Sequence, residues 1–319
     1  MKWPPAERAA LALGAVALLL APISGDRFWI QLLAKVMASA IFAMSLDLLV
    51  GYTGLVSLAH AAFHGLAGYF LAGLTNELGI VHLAATLPLC LAGVALAAFA
   101  IGWLSLRTSG VYFIMVTLAF TQMLFYLFND SARLGGSDGL YVQHRPRLEL
   151  AGRALLDLGD GLTVYLVIWA ALVLVYLFLA RLLRAPFGRV LGGIRANEPR
   201  MRTLGYATRR YKLVAFVIAG VLAGLAGYLD AALYGFVNPA HLGWRESGLV
   251  LMTVLLGGKG TLHGPALGAF LLTFLQYYGE RITDHWLAIV GGVLVLVVLA
   301  LPGGVAGILR RPADGNARG

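Results

Sequence analysis

The feature that most constrains this chain is a series of long apolar stretches that recur along it. A helix that crosses the hydrocarbon core of a bilayer needs about 20 consecutive, mostly apolar residues. Hydrophobic residues form 60% of the 319 residues and charged residues only 12%, against about 45–50% and 25% in soluble domains. We therefore predict an all-α polytopic membrane protein. Its candidate spans are residues 9–24, 28–50, 56–74, 81–104, 110–128, 163–183, 213–234 and 286–301.

Residues 248–278 form a further apolar stretch, which is interrupted by GGKGTLHGP at 257–265. The stretch is too long for one plain span, and its halves are short for two. Half-length helices that meet at Gly and Pro are common in transporters, where the main-chain groups they free line a polar path. We expect about 8–10 transmembrane helices, including broken or re-entrant half-helices, in a single domain over residues 1–319.

Two long hydrophilic segments orient the molecule through their charges. Residues 129–162 carry four arginines and five acidic residues, a net charge of −1, whereas residues 184–212 carry eight basic residues and one acidic residue, a net charge of +7. Cytoplasmic loops of membrane proteins are enriched in Lys and Arg. We predict that 129–162 is a periplasmic loop, that 184–212 (the basic loop) is cytoplasmic, and that both termini are cytoplasmic. The positive-inside distribution of Lys and Arg then explains the overall charge of +9, and nucleic-acid binding is not expected.

Two motifs approach known ligand sites but lack required residues. A phosphate loop needs Ser or Thr directly after its Lys, and Gly260 stands there instead, so nucleotide binding by this chain is not expected. His60 and His64 share one helix face at metal-ligand spacing, yet Ala61 replaces the Glu of a zinc protease and no third ligand is evident. We predict no metal, no cofactor and no catalytic residue, and assign His60 to helix packing or the substrate path.

Charged groups inside apolar spans are costly and mark candidate functional sites. Lys35 and Asp47 lie twelve residues apart in one span, more than three helical turns, and cannot pair locally. Lys35 is near enough to a helix end to extend towards the membrane surface, and Asp230 and Arg181 are interpreted as interfacial. Asp47 immediately precedes a Gly-containing break and is the better candidate. The predicted translocation path comprises Asp47, Gly51, Tyr52, Gly54, Ser57 and His60.

The basic loop carries the local signals of a short helix. Asn197 or Glu198 can cap a new helix, Pro199 fits its first turn, and Gly205 suits the residue after its end, which predicts a helix over roughly 198–204. A bare connection between two spans needs only about 2–8 residues. We interpret this structured loop as a docking element for a partner. The alternative is a loop that binds anionic membrane lipid, which needs only the charges.

Four segments of the chain form a distinctive set of motifs, namely GYTGLVSLAHAAFHGLAGY (51–69), LGGSDGL (134–140), FGRVLGGIRANEPRMRTLGYATRRYKLVAFVIAGVLAGLAGYL (187–229) and VLLGGKGTLHGPALGAFL (254–271). These four segments resemble the signature blocks of the M-type permeases of bacterial branched-chain amino acid ABC importers. The resemblance implies an inner-membrane complex of this subunit with a second (H-type) permease, two cytosolic ATPases and a periplasmic substrate-binding protein. It also implies that residues 188–205 couple the permease to an ATPase, through Gly188, Arg189, Ile194, Arg195, Asn197, Glu198 and Gly205.

The resemblance implies a non-catalytic permease subunit that forms the path for branched-chain amino acids, with ATP hydrolysis in partner chains. Two residues depart from the family pattern, which more often has an apolar residue at His64 and commonly Asn at Asp47. Asp at the latter position also occurs in urea-type permeases, so uptake of urea or short amides is one alternative. A stand-alone secondary transporter, coupled to an ion through Asp47 and Lys35, is another, and the docking loop argues against it.

Overall fold

The computed structural model describes residues 14–150, 153–283, 285–301 and 303–309. Residues 14–20 are helical and lead into the 3-10 turn Ala21–Ser24. The later helices are α1 (Arg27–Asp47), α2 (His60–Asn76), α3 (Leu83–Ser105), α4 (Val111–Asn129), α5 (Gly161–Arg184), α6 (Pro186–Ala196), α7 (Glu198–Thr203), α8 (Thr208–Tyr234), α9 (Trp244–Gly257), α10 (Gly264–Ile282), α11 (Trp286–Ala300) and α12 (Val305–Leu309).

The helical, multi-pass architecture predicted from the apolar pattern is confirmed. Five described helices are long and apolar enough to cross a membrane, namely α1 with its extension to Thr53, α3, α4, α5 and α8. The predicted spans that begin at residues 56 and 286 appear as the shorter helices α2 and α11. The interrupted stretch 248–278 is a pair of helices, α9 and α10, joined by the turn at 258–263. The terminal charges Lys2, Arg8, Arg310 and Arg311 lie outside the described residues.

Helix α1 lies at the centre of the bundle and α3, α4 and α5 lie at its periphery. In the most apolar 18-residue segment of α1, 83% of residues are buried, against 22–28% in the three peripheral helices. Small residues bring the inner helices together, because a Cβ at Gly227 of α8 would overlap the main chain of His64 in α2. The exposed apolar side chains of α3–α5 are those expected of lipid-facing or subunit-facing helices.

Short strands connect the segment 129–162 to the bundle. Strand β1 (Leu140–Tyr141) pairs antiparallel with β4 (Phe236–Val237), which directly follows α8. Strands β2 (Arg147–Leu150) and β3 (Arg153–Asp157) form a separate antiparallel pair. The end of α8 is therefore held to this segment through main-chain hydrogen bonds.

The basic loop contains two helices, α6 and α7, in place of an irregular connection. The predicted helix over 198–204 is confirmed as α7, and Asn197 is its cap, since the Asn197 side chain accepts a 3.0 Å hydrogen bond from the main-chain N–H of Arg200. Pro199 lies in the first turn, as expected. Gly205 has φ of +86°, the left-handed conformation that Gly adopts more readily than any other residue.

Candidate functional site: a helix junction and a polar cavity

Helix α1 does not end in a regular turn. Its last residues widen into the π-helical turn Leu48–Thr53, and residues 54–59 are not helical before α2 begins at His60. Gly54 takes φ of +77°, and its N–H donates to the main-chain oxygen of Leu49. The Gly-containing break expected from the sequence is therefore real. Such departures from α-helical geometry within spans are frequent at functional sites.

Three segments that are distant in sequence meet at this break, which we call the junction. Its members are Asp47 at the end of α1, Gly51 and Gly54 directly after it, Arg195 in α6 and Gly260 in the turn between α9 and α10. The Oδ1 atom of Asp47 accepts a 2.8 Å hydrogen bond from the main-chain N–H of Gly260, and the Arg195 guanidinium donates to the main-chain oxygen of Gly51. Asp47 is buried, and its charge is compensated in part by the nearby Arg195. The basic loop is thus bonded directly to the central helix.

The junction leaves no room for side chains at its glycines. A Cβ at Gly51 would overlap both the Asp47 carboxylate and the Gly260 main chain. A Cβ at Gly54 would lie 3.3 Å from Cγ of Arg195, in a backbone conformation that already disfavours any other residue. The small residues at these two positions therefore permit the close approach of α6 and of the α9–α10 turn.

The unwound segment after the junction is held by hydroxyl groups from two other helices. The main-chain oxygen of Leu58 accepts hydrogen bonds from Thr121 at 2.8 Å and from Ser247 at 2.6 Å, and its N–H donates to Thr117 at 3.2 Å. Ser247 also accepts from the N–H of Ala61. Non-helical main chain in a membrane needs such partners. Sequence reasoning missed these three hydroxyl residues, because a Ser or Thr in an apolar span carries no local signal of its partner.

The six residues predicted for the translocation path fall in this region. Asp47, Gly51 and Gly54 belong to the junction, with Tyr52 between them, while Ser57 lies in the unwound segment and its Oγ accepts from the N–H of Ala59. His60 is fully buried, with its ring near those of Phe42 and Phe63. Their role in the path stays a prediction.

A separate cavity of about 610 Å³ opens among α1, α8, α9 and α10. Both signs of charge line it, from Lys35 of α1, Asp230 of α8, Arg245 and Glu246 at the start of α9, and Glu280 near the end of α10. His64 also lines the cavity, with its Nε2 atom 4.0 Å from Oδ2 of Asp230. None of the six predicted path residues is part of this lining.

The cavity changes the interpretation of two intramembrane charges. Lys35 was expected to extend towards the membrane surface and Asp230 to be interfacial; both line the cavity, and Lys35 is exposed there. The sequence did show two charges of opposite sign in separate spans, and this was the one feature that could have pointed to a shared polar site. It did not show which helix faces pack together, so the shared cavity could not be inferred.

The acidic residue of the basic loop is engaged within the chain. Glu198 of α7 accepts from Arg202 at 2.7 Å, from the Thr208 hydroxyl at 3.0 Å, and from Lys212, and the last two belong to α8. Burial raises the pKa of the Glu198 carboxyl, but the hydrogen bonds from Lys212, Arg202 and Thr208 outweigh burial and hold that pKa below its usual range. Glu198 therefore ties α7 to the start of α8.

The other residues predicted for coupling occupy different environments. Ile194 of α6 is buried, and Gly188 of the same helix packs so closely that a Cβ would overlap the main chain of Leu183. Arg189 is exposed to solvent. The basic loop therefore has residues that pack against the rest of the protein, such as Ile194 and Gly188, and an exposed surface that includes Arg189.

Comparison with known proteins assigns the family. The profile of the family described as branched-chain amino acid transport system / permease component matches residues 28–299. The chain belongs to this permease family. The permease protein LivM of the high-affinity branched-chain amino acid transport system is 31% identical in Escherichia coli and 30% identical in Salmonella typhimurium, each over 93% of this chain and 75% of the relative. No solved structure matches the chain.

Part of the chain is also similar to permeases that are named for a different substrate. The autoinducer 2 import system permease protein LsrC of Klebsiella pneumoniae is 36% identical to this permease over 135 residues, which are 40% of this chain and 39% of the relative. The family match and the LivM relatives together identify the chain as an ABC-type permease of the branched-chain amino acid transport family. It is a transport component and a multi-pass membrane protein.

In this permease the same two helices connect the cavity to the basic loop. Helix α1 carries Lys35 at the cavity and Asp47 at the junction, about 18 Å apart at the rise of an α-helix. Helix α8 carries Asp230 at the cavity and, at its other end, Lys212, which holds Glu198. The basic loop and the cavity are therefore linked through the same two helices.

Proposed function

We propose that the protein is the permease subunit of an ATP-driven importer in the bacterial inner membrane, and that it forms part of the path for branched-chain amino acids. Separate ATPase subunits supply the energy through residues 188–205. A second permease and a periplasmic binding protein complete the complex. The two LivM relatives, whose names describe high-affinity branched-chain amino acid transport, support this substrate class.

The observation that carries the proposal is the attachment of the basic loop to the bundle. Arg195 bonds to Gly51 of α1, and Glu198 bonds to Lys212 of α8. A loop that only joined two spans, or only bound anionic lipid, would not need an ordered pair of helices bonded to the core. This arrangement suits a segment that receives force from a partner and passes it to α1 and α8.

The charges of the two long segments support the orientation that this function needs. The net charge of +7 favours a cytoplasmic basic loop, where ATPases would dock, and the net charge of −1 favours a periplasmic segment 129–162. The cavity lies towards the opposite ends of α1 and α8 from the basic loop. It would then face the side from which a binding protein delivers substrate.

The contacts of Asp47 weaken both alternatives. An Asn at this position presents the same Oδ1 acceptor to Gly260, so the difference between Asp and Asn says little about urea as substrate. Asp47 and Lys35 are also far apart on α1 and do not share a site, contrary to what an ion-coupling pair would need.

The test is uptake by proteoliposomes that contain the permease co-expressed with its proposed partners, with binding protein on the side that receives substrate. We expect uptake of labelled leucine to require ATP on the ATPase side and to persist when a protonophore collapses the proton gradient. Loss of uptake under the protonophore, with ATP maintained, would identify a secondary transporter. Uptake of labelled urea in place of leucine would assign the other substrate class.

A further inference from the structure

We propose that the cavity among α1, α8, α9 and α10 is a binding site for a zwitterionic α-amino acid, in which Asp230 binds the ammonium group and Lys35 binds the carboxylate. This inference rests on the proposed function and adds to it a site within this chain. The volume of about 610 Å³ lies within the range of about 300–1,000 Å³ that is typical of small-molecule sites.

The charges of the cavity are the first part of the argument. Asp230 interacts electrostatically with His241, Lys35 and Glu246, so its surroundings contain both signs. Within the described residues, no salt bridge of 4.0 Å or less joins Lys35 to Asp230. The two groups therefore line a common cavity without forming a direct ion pair. Asp230 has His64 beside it and Lys35 is exposed, so each can still take an ionic partner, and the ammonium group and carboxylate of a zwitterion supply them.

The walls of the cavity are the second part of the argument. The Asp230 side chain is 19% exposed and the neighbouring His64 side chain 14% exposed, which leaves both accessible from the cavity. The remaining lining includes aliphatic and aromatic surface suited to a branched apolar side chain. That surface comes from Ala38, Phe42, Leu249, Val250, Ala269 and Leu272.

This combination selects between the two substrate classes of the proposed function. Leucine has one positive group, one negative group and an apolar side chain, and each finds a complementary wall. Urea is uncharged and has no apolar part, so neither the charges nor the aliphatic wall would contribute to its binding. The site therefore favours an amino acid over urea.

The experiment uses a cysteine placed in the cavity of the full chain. Ser39 lines the cavity one turn from Lys35, and Cys90, the only native cysteine, is buried and can be changed to Ala. The Ser39→Cys, Cys90→Ala permease is co-expressed with its proposed partners and reconstituted without binding protein. The rate of modification by a small thiol reagent is then measured with leucine, leucinamide, 4-methylpentanoate or urea.

We expect leucine to slow modification, and leucinamide and 4-methylpentanoate, which each lack one charge, to need about tenfold higher concentration or more. Urea should not protect. This comparison uses one folded protein, so it does not depend on how variants fold. Equal protection by leucine and 4-methylpentanoate would overturn the role of Asp230, and equal protection by leucinamide would overturn that of Lys35. Modification that is unaffected by leucine would overturn the site.

Two variants and a matched control complete the test. Asp230→Asn and Lys35→Met should lose protection by leucine, whereas Asp130→Asn, at an exposed position outside the cavity, should keep it. Protection retained in both cavity variants would contradict the proposal. Stimulation of ATP hydrolysis by the binding protein is measured in parallel. If the binding protein stimulates ATP hydrolysis but leucine does not protect the cysteine, the site is rejected and the proposed function is kept. If leucine protects the cysteine but ATP hydrolysis is not stimulated, the site is kept and the proposed function is rejected.

Discussion

The Asp47 carboxylate accepts a 2.8 Å hydrogen bond from the main-chain N–H of Gly260, which lies 213 residues further along the chain. This bond joins the end of the central helix to the turn between α9 and α10. Arg195 bonds to Gly51 at the same place, which adds the basic loop to the assembly. The intramembrane acid that sequence analysis singled out therefore connects three segments.

The role of Asp47 as a hydrogen-bond acceptor predicts different effects for two substitutions. Asp47→Asn keeps an acceptor oxygen for Gly260 and should retain most stability and uptake. Asp47→Leu leaves that partly buried N–H unpaired, at a cost of up to about 1–3 kcal/mol. Thermal unfolding of the purified permease, together with leucine uptake, measures both. If Asn were as damaging as Leu, the negative charge would matter more than the acceptor.

The tight packing at Gly51 predicts that even a methyl group disturbs the junction. In Gly51→Ala the new Cβ would overlap Asp47 and the Gly260 main chain, so we expect loss of uptake and a lower unfolding temperature. Gly73→Ala is the matched control, because Gly73 lies in α2 with open space around it. There the change should be neutral or stabilise the helix by about 0.5–1 kcal/mol. Similar behaviour of the two variants would refute the packing argument.

The contacts of Glu198 predict that it orders the basic loop. In Glu198→Gln the bonds to Lys212 and Arg202 lose their ionic character, so hydrogen exchange in residues 198–212 should become faster. Glu77→Gln, at an exposed position, serves as the control. Charge reversal in Glu198→Lys should reduce uptake and binding-protein-stimulated ATP hydrolysis together. A fall in uptake with unchanged ATPase activity would separate the loop from coupling.

The lowered pKa of Glu198 adds a pH dependence to this prediction. Because the folded-state pKa lies below its usual value of 4.5, the stabilisation is fully present above that value. It is lost as pH falls through the lower folded-state pKa. Hydrogen exchange of the wild-type loop should therefore approach that of Glu198→Gln only in strongly acidic buffer, and the two proteins should differ at neutral pH.

The left-handed conformation of Gly205 predicts a backbone effect without steric overlap. A Cβ at Gly205 meets nothing within 4 Å, so only φ of +86° opposes substitution. Gly205→Val should strain the end of α7 by about 1–2 kcal/mol and reduce stimulated ATP hydrolysis and uptake, whereas Gly205→Asn, which tolerates this conformation, should be milder. Equal activity of the Val and Asn variants would show that the turn does not transmit coupling.

The charges of segment 129–162 and of the basic loop predict which side of the membrane each one faces. In the Cys90→Ala background, a cysteine at the exposed Ser137 should react with a membrane-impermeant thiol reagent in spheroplasts. A cysteine at the exposed Arg200 should react only in inverted vesicles. Arg200 is chosen because its side chain does not contact Glu198, unlike that of Arg202. The opposite labelling pattern would invert the proposed orientation.

The sequence by itself determined the helical, multi-pass class and the local structure of α7. Insertion as a span depends on the apolarity of about 20 consecutive residues, and a cap such as Asn197 acts within one turn, so both are readable from neighbouring residues. The break after Asp47 was likewise visible in its glycines. Family motifs then indicated the type of transporter.

Only the tertiary structure decided that Asp47 binds Gly260, that Glu198 binds Lys212, and that Lys35 and Asp230 share a cavity. In a membrane the hydrophobic effect does not choose which helix faces meet, because lipid is as apolar as the side chains. Close packing of small residues and hydrogen bonds between distant segments make that choice. Those partners lie far apart along the chain, so composition and periodicity carry no record of them.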